Sequence, residues 1–286
     1  MTARQPSFSR RSLAIAAVVV GTVSLAIGAH AALNKRALDP VNPVATAPGV
    51  DAAKPSAKLA LVIGNGHYPD ASEPLLQPIN DARALSGALR HDGFDVDVIE
   101  DASKDDMARA VERLQAKIKP DTVVMLFFGG YAIQAGRESY MIPVDAAIWK
   151  ERDIRREGTS VEKVLDVMKR QGARAKLVVL DASRRNPYER RFRAFSHGLA
   201  PIDAPDNALI LTSARPDKVV DDSMGRNSVL VAELLNNLDG KSGGAEAVFN
   251  KTRAAISRAS EGEQVPSVSS SLSEDVRFGV EPDAGS

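Results

Sequence analysis

The chain has 286 residues, 44% of them apolar, and its 37 basic and 37 acidic side chains leave no formal net charge. That balance excludes a nucleic-acid binder relying on a broad basic field. The absence of cysteine excludes disulfides, thiolate metal sites and a thiolate nucleophile, and the histidines (His30, His67, His91, His197) are too few for a His-rich metal site.

Residues 1–32 have the layout of an export signal. Arg4, Arg10 and Arg11 precede an apolar run from Leu13 to about Gly28, Ala29-His30-Ala31 offers a small-x-small cleavage site, and the first acidic residue is Asp39. Ser9-Arg10-Arg11-Ser12-Leu13 resembles a twin-arginine signal. Left uncleaved, residues 13–32 would just span a bilayer as an N-terminal anchor. Both readings keep the arginines inside and place the rest of the chain in the periplasm, secreted or tethered to the inner membrane. Residues 33–57, rich in Ala, Pro and Val without periodicity, read as a linker.

From Lys58 the pattern is α/β. Leu59–Ile63 is a first strand ending in Gly64-Asn65-Gly66. Asn80-Asp81 are expected to cap a helix to about His91, with Ala82, Leu85 and Leu89 on one face. Phe94–Ile99 alternates apolar and acidic residues as a more exposed strand. Met107, Val111, Leu114 and Ile118 mark an amphipathic helix over 104–118. Val123–Phe128 is a buried strand ending in Gly129-Gly130-Tyr131, and Tyr140–Val144 is a short extended piece in the loop that follows. Ser160 opens a helix to about Arg170. The apolar run Leu177–Leu180 is a fourth buried strand, closing on Asp181-Ala182-Ser183, and Ala208–Thr212 is a fifth. Helices follow near 228–238 and 245–259, and Val276–Phe278 is expected as a last edge strand, which by itself decides no oligomeric state. Strands alternating with helices imply one parallel sheet with helices on both faces. In such sheets chemistry sits at the carboxyl tips of the strands, so Tyr131 and Ser183 become candidates if the third and fourth strands are neighbours.

Gly64-Asn65-Gly66 lacks the third glycine of a dinucleotide fingerprint, since Pro69 stands there; a tight turn explains it, and no cofactor is expected.

Taken together, several short motifs resemble those of the caspase-like peptidases of bacteria, the orthocaspase and metacaspase relatives. They are Ala60-Leu61-Val62-Ile63-Gly64-Asn65 with Tyr68 and Asn80-Asp81-Ala82, Gly93-Phe94-Asp95-Val96, Gln134 with Tyr140-Met141-Ile142-Pro143-Val144-Asp145, Leu180-Asp181-Ala182 followed by Arg184 and Asn186-Pro187, then Arg226-Asn227-Ser228 and Gln264-x-Pro266. The resemblance implies a caspase-like three-layer α/β sandwich over 58–280, with a mostly parallel sheet flanked by helices and a tail over 281–286. It also places Tyr131 where the family has its histidine and Ser183 where it has its cysteine. Backbone at Ala132 and Ser183 would correspond to the family's oxyanion hole. Asp181, with weaker support from Asp222, would correspond to a pocket that prefers Arg or Lys side chains.

The two departures fall on the proton chemistry. A cysteine of pKa about 8.5 beside a histidine of about 6.5 makes a ready nucleophile, whereas a tyrosine near 10 is neutral at pH 7 and a serine needs a positioned base. Three readings result: an inactive pseudoprotease binding a peptide or protein with exposed Arg or Lys, a serine-dependent hydrolase using Ser183 with Tyr131, and a structural envelope protein. In the first, a Tyr131–Ser183 hydrogen bond would satisfy both hydroxyls. Arg184, Arg185, Arg190, Arg191 and Arg193 read as a solvated basic loop; a sharper alternative folds Arg190, Arg191 or Arg193 back into the Asp181 pocket as an internal pseudosubstrate.

Overall fold

The computed structural model describes residues 57–69, 74–185, 187–188, 198–220, 225–238 and 243–279. The export segment 1–32, the linker up to residue 56, Asp222, Arg190, Arg191, Arg193 and the tail lie outside the described residues.

The main sheet has six strands. They are β1 (Lys58–Gly64), β2 (Asp95–Glu100), β3 (Val123–Gly129), β7 (Ala175–Asp181), β8 (Ala208–Thr212) and β9 (Ser267–Ser270), in the order β2-β1-β3-β7-β8-β9. The first five run parallel and β9 closes one edge antiparallel to β8. Alternation along each strand splits the core in two. Leu59, Leu61 and Ile63 of β1 face α2 (Lys104–Lys117) and α4 (Val161–Arg170) on one side, through Met107, Leu114, Val164 and Met168. Ala60 and Val62 face α1 (Gln77–His91), α5 (Val229–Leu238) and α6 (Ala245–Ala259) on the other, through Leu85, Leu234 and Phe249. This is the three-layer α/β sandwich expected.

Local chemistry sets the helix starts, with one correction. Ser103 caps α2 in a reciprocal capping box with Asp106, and the Ser160 side chain accepts from Lys163 N–H at the start of α4. Helix α1 does not begin at Asn80-Asp81. It begins at Gln77, after Leu76, with Pro78 in the first turn, where a missing N–H costs nothing. Asp81 lies inside the helix and serves the start of α5 instead: its carboxylate accepts from Ser228 N–H at 3.0 Å, while Ser228 Oγ accepts from Val231 N–H.

The segment after β3 is more regular than a loop. Strands β4 (Ala132–Ala135), β5 (Glu138–Met141) and β6 (Thr159–Ser160) form a second, antiparallel sheet, and α3 (Glu151–Glu157) precedes β6. The hairpin turns at Gly136, whose φ of 71° suits glycine. With Tyr68, Tyr140, Ile142, Ile154 and Tyr188 these elements make a separate apolar cluster, with Tyr131 packed against it.

Val276–Phe278 is not the last strand; that place belongs to β9. Phe278 is instead buried beside Phe94 and Phe249, at ring-centroid distances of 6.3 and 6.1 Å, and its carbonyl accepts from Lys58 Nζ at 2.6 Å. Side-chain burial there outweighs ladder bonding, which the Ser-rich segment 267–270 can supply at an edge.

Candidate functional site: the tips of β3 and β7

Strands β3 and β7 are neighbours, with Gly129 opposite Asp181. Their pairing continues beyond the ladder: Gly130 N–H donates to Asp181 O at 3.3 Å and Ala132 N–H to Ala182 O at 3.4 Å. Tyr131 and Ser183 therefore sit on adjacent strand tips, as the α/β pattern predicts.

Tyr131 is turned toward Tyr68. Its N–H donates to Tyr68 Oη at 3.1 Å, its carbonyl accepts from Ile142 N–H, and the two rings meet edge to face at 4.8 Å. Tyr68 Oη in turn donates to Ile142 O at 2.9 Å, and burial pushes its hydroxyl well above the ordinary tyrosine range. Asn65 makes the turn rigid from below: its Oδ1 accepts from Ala102 N–H and its Nδ2 donates to Ile142 O. Gly64-Asn65-Gly66 is thus a structural hub between β1, the end of β2 and the small sheet. Gly130 completes it at φ 152°, where an added Cβ would lie 2.6 Å from Tyr68 Oη. Gly130→Ala is expected to cost about 2 kcal/mol, within the range for strained backbone positions; urea unfolding of the variant reads it, and an unchanged midpoint contradicts the packing.

Ser183 is 1% exposed. Its N–H donates to Ser213 Oγ at 3.3 Å and its carbonyl accepts from Val220 N–H at 2.7 Å. Its own Oγ is buried without any hydrogen-bond partner. The expected Tyr131–Ser183 hydrogen bond is therefore not formed, because the Tyr131 ring packs on Tyr68. The amides of Ala132 and Ser183, expected to correspond to an oxyanion hole, both donate to partners inside the domain.

Asp181 ends β7 and is also buried. One guanidinium nitrogen of Arg184, Nη2, lies 3.7 Å from its Oδ2, an ion-pair distance too long for a hydrogen bond, and Oδ2 has no hydrogen-bond donor. The other, Nη1, donates to Gly130 O at 3.1 Å and to the Asp181 carbonyl. Arg184 is only 7% exposed, which corrects the expectation that it is solvated; Arg185 is exposed as expected. Two acceptors at adjoining strand ends and a buried carboxylate make its place.

Asp81 joins this acidic region. It is fully buried, accepts from Asn227 Nδ2 at 2.8 Å and from Ser228 N–H, and burial followed by the nearby charge of Asp181 pushes its pKa up to about 6. From local sequence alone Asn80-Asp81 reads as a helix cap. The available signal was its spacing from Leu85 and Leu89, which puts an acid on the apolar face of α1. Among the described residues no three His, Cys, Asp or Glu side chains converge as metal ligands.

The caspase domain family model matches residues 57–277. The chain belongs to the caspase domain family. A 134-residue stretch is 28% identical to mucosa-associated lymphoid tissue lymphoma translocation protein 1 of Homo sapiens, covering 46% of this chain and 16% of that protein. The chain thus spans under a fifth of that relative's length. The crystal structure of protein GSU0716 from Geobacter sulfurreducens superposes with a TM-score of 0.57 at 15% identity, over 78% of this chain and 99% of that one, a likeness of fold. At the tips of β3 and β7 this chain carries a tyrosine, Tyr131, and a serine, Ser183.

Proposed function

We propose that this caspase-domain chain is an exported pseudoprotease that binds a peptide or protein partner through a basic side chain at the Asp181 region. The observation that carries this reading is Ser183: its hydroxyl is buried, and no described side chain stands within hydrogen-bond reach to take its proton. Nucleophilic catalysis by serine needs such a base, and amide hydrolysis needs free donors for the oxyanion. The buried carboxylate of Asp181, whose Oδ2 has no hydrogen-bond donor, supports recognition of a cation by charge-assisted hydrogen bonding. The arginine-led apolar segment over 1–32 supports export, with attachment through residues 13–32 if it is not cleaved; among the described residues no helix is long and apolar enough to cross a membrane.

The test uses the purified exported form with a fluorophosphonate probe and with reporter peptides ending in Arg or Lys, beside Ser183→Ala. No labelling and no turnover are expected, together with saturable peptide binding that is lost in Asp181→Asn. Labelling abolished by Ser183→Ala would replace the reading with a serine hydrolase. No reaction and no binding would leave a structural protein of the envelope.

A further inference from the structure

The side chain answering Asp181 comes from the chain itself. We infer that Arg184 is the resident occupant of the acidic pocket, holding the position that a partner's guanidinium would take, so that an incoming basic side chain must displace it. This rests on the reading of the Asp181 region as a pocket for basic side chains, and adds to it the competitor and the chemical class of ligand.

The geometry is that of a bound guanidinium. Arg184 places Nη1 against two carbonyls, of Gly130 and Asp181, and Nη2 at 3.7 Å from the Asp181 carboxylate. Both side chains are 7% exposed. The planar fork of arginine suits such a set of acceptors where the compact ammonium of lysine does not. The seat is incompletely filled, however. Asp181 Oδ2 and Ser183 Oγ are buried polar atoms with no hydrogen-bond partner. An unsatisfied buried acceptor is costly, and a ligand able to bond Asp181 Oδ2 directly would gain what Arg184 leaves unmade. The guanidinium sets a positive charge 3.7 Å from Asp181 Oδ2, the carboxylate whose charge also acts on the buried Asp81.

The experiment measures the affinity of a short fluorescent peptide ending in Arg, against the same peptide ending in neutral citrulline, for the wild-type protein, Arg184→Met and Arg184→Met/Asp181→Asn. At least tenfold tighter binding of the Arg peptide by Arg184→Met is expected, with no gain for citrulline and loss of the gain in the double variant. Equal affinity of wild type and Arg184→Met overturns the competition while leaving the pocket standing. Absence of binding by every folded form overturns both. Should Arg184→Met not fold, wild-type protein labelled at its guanidinium nitrogens decides the matter. A slowly exchanging Arg184 guanidinium, assigned by its absence in Arg184→Lys, is expected to lose protection as the Arg peptide saturates. Peptide saturation without any change in that signal rejects displacement.

Discussion

Asp181→Asn is expected to lower the unfolding free energy by about 3–5 kcal/mol at pH 7, the range for breaking a buried ion pair from one side. The substitution keeps the shape of the side chain and removes its charge. Arg184 then remains 7% exposed without the carboxylate that stands 3.7 Å from its Nη2. The pair itself need not be strongly stabilising, because desolvating two ions offsets much of their attraction. Arg184→Met in the Asp181→Asn background is therefore expected to recover most of the loss. A double-mutant cycle from chemical denaturation checks this: strong coupling between the two positions is expected, and simple additivity would mean the guanidinium does not depend on the carboxylate. Relief of the repulsion on Asp81 works in the opposite direction and makes the single-variant figure an upper range.

Asp81 supplies the second large effect, with a sign opposite to that of most carboxylates. Its pKa is raised from 3.8 to about 6 by burial and then by Asp181, against the lowering influence of Asn227 and Ser228. The folded form thus holds its proton more tightly than the unfolded chain. Between these two values the native state binds more protons, so stability falls as pH rises. The favourable increment is fully present below pH 3.8 and is lost through about pH 6; a shift of this size corresponds to about 3 kcal/mol. Asp81→Asn is expected to remove that slope. It can keep the main contacts, because Asn227 Nδ2 and Ser228 N–H donate to Oδ1 at 2.8 and 3.0 Å, and only the longer 3.3 Å contact of Ser228 N–H with Oδ2 is lost. The measurement is the difference in unfolding free energy between wild type and Asp81→Asn from pH 4 to 7, which cancels carboxylates such as Asp101 and Asp153 that are shifted downward. Parallel curves would refute the buried, proton-holding acid.

Both effects arise from acids at the carboxyl edge of the sheet, and only one of the two acids was legible as a site residue. Asp181 is singled out by the family resemblance of Leu180-Asp181-Ala182, a motif of contiguous residues. Asp81 reads locally as a cap because helix starts favour aspartate; its actual partners, Asn227 and Ser228, are far along the chain. Arg184 is misread for a similar reason. An arginine beside another arginine in a loop is usually solvated, and nothing in the run Ser183-Arg184-Arg185 says that the first turns inward and the second outward. The Tyr131–Ser183 bond failed on a competing contact, the edge of the Tyr131 ring against Tyr68, which joins the segment after β1 to the segment after β3.

By itself the sequence determined the strands β1, β3, β7 and β8, the main helices and the family resemblance, since apolar periodicity and short motifs are properties of contiguous residues. Tertiary structure decided the rest: that Ser267–Ser270 rather than Val276–Phe278 closes the sheet, that the post-β3 segment folds into its own small sheet, and that Arg184 answers Asp181. Those outcomes turn on competition for burial and for hydrogen-bond partners between residues distant in the chain, and such competition leaves no local trace.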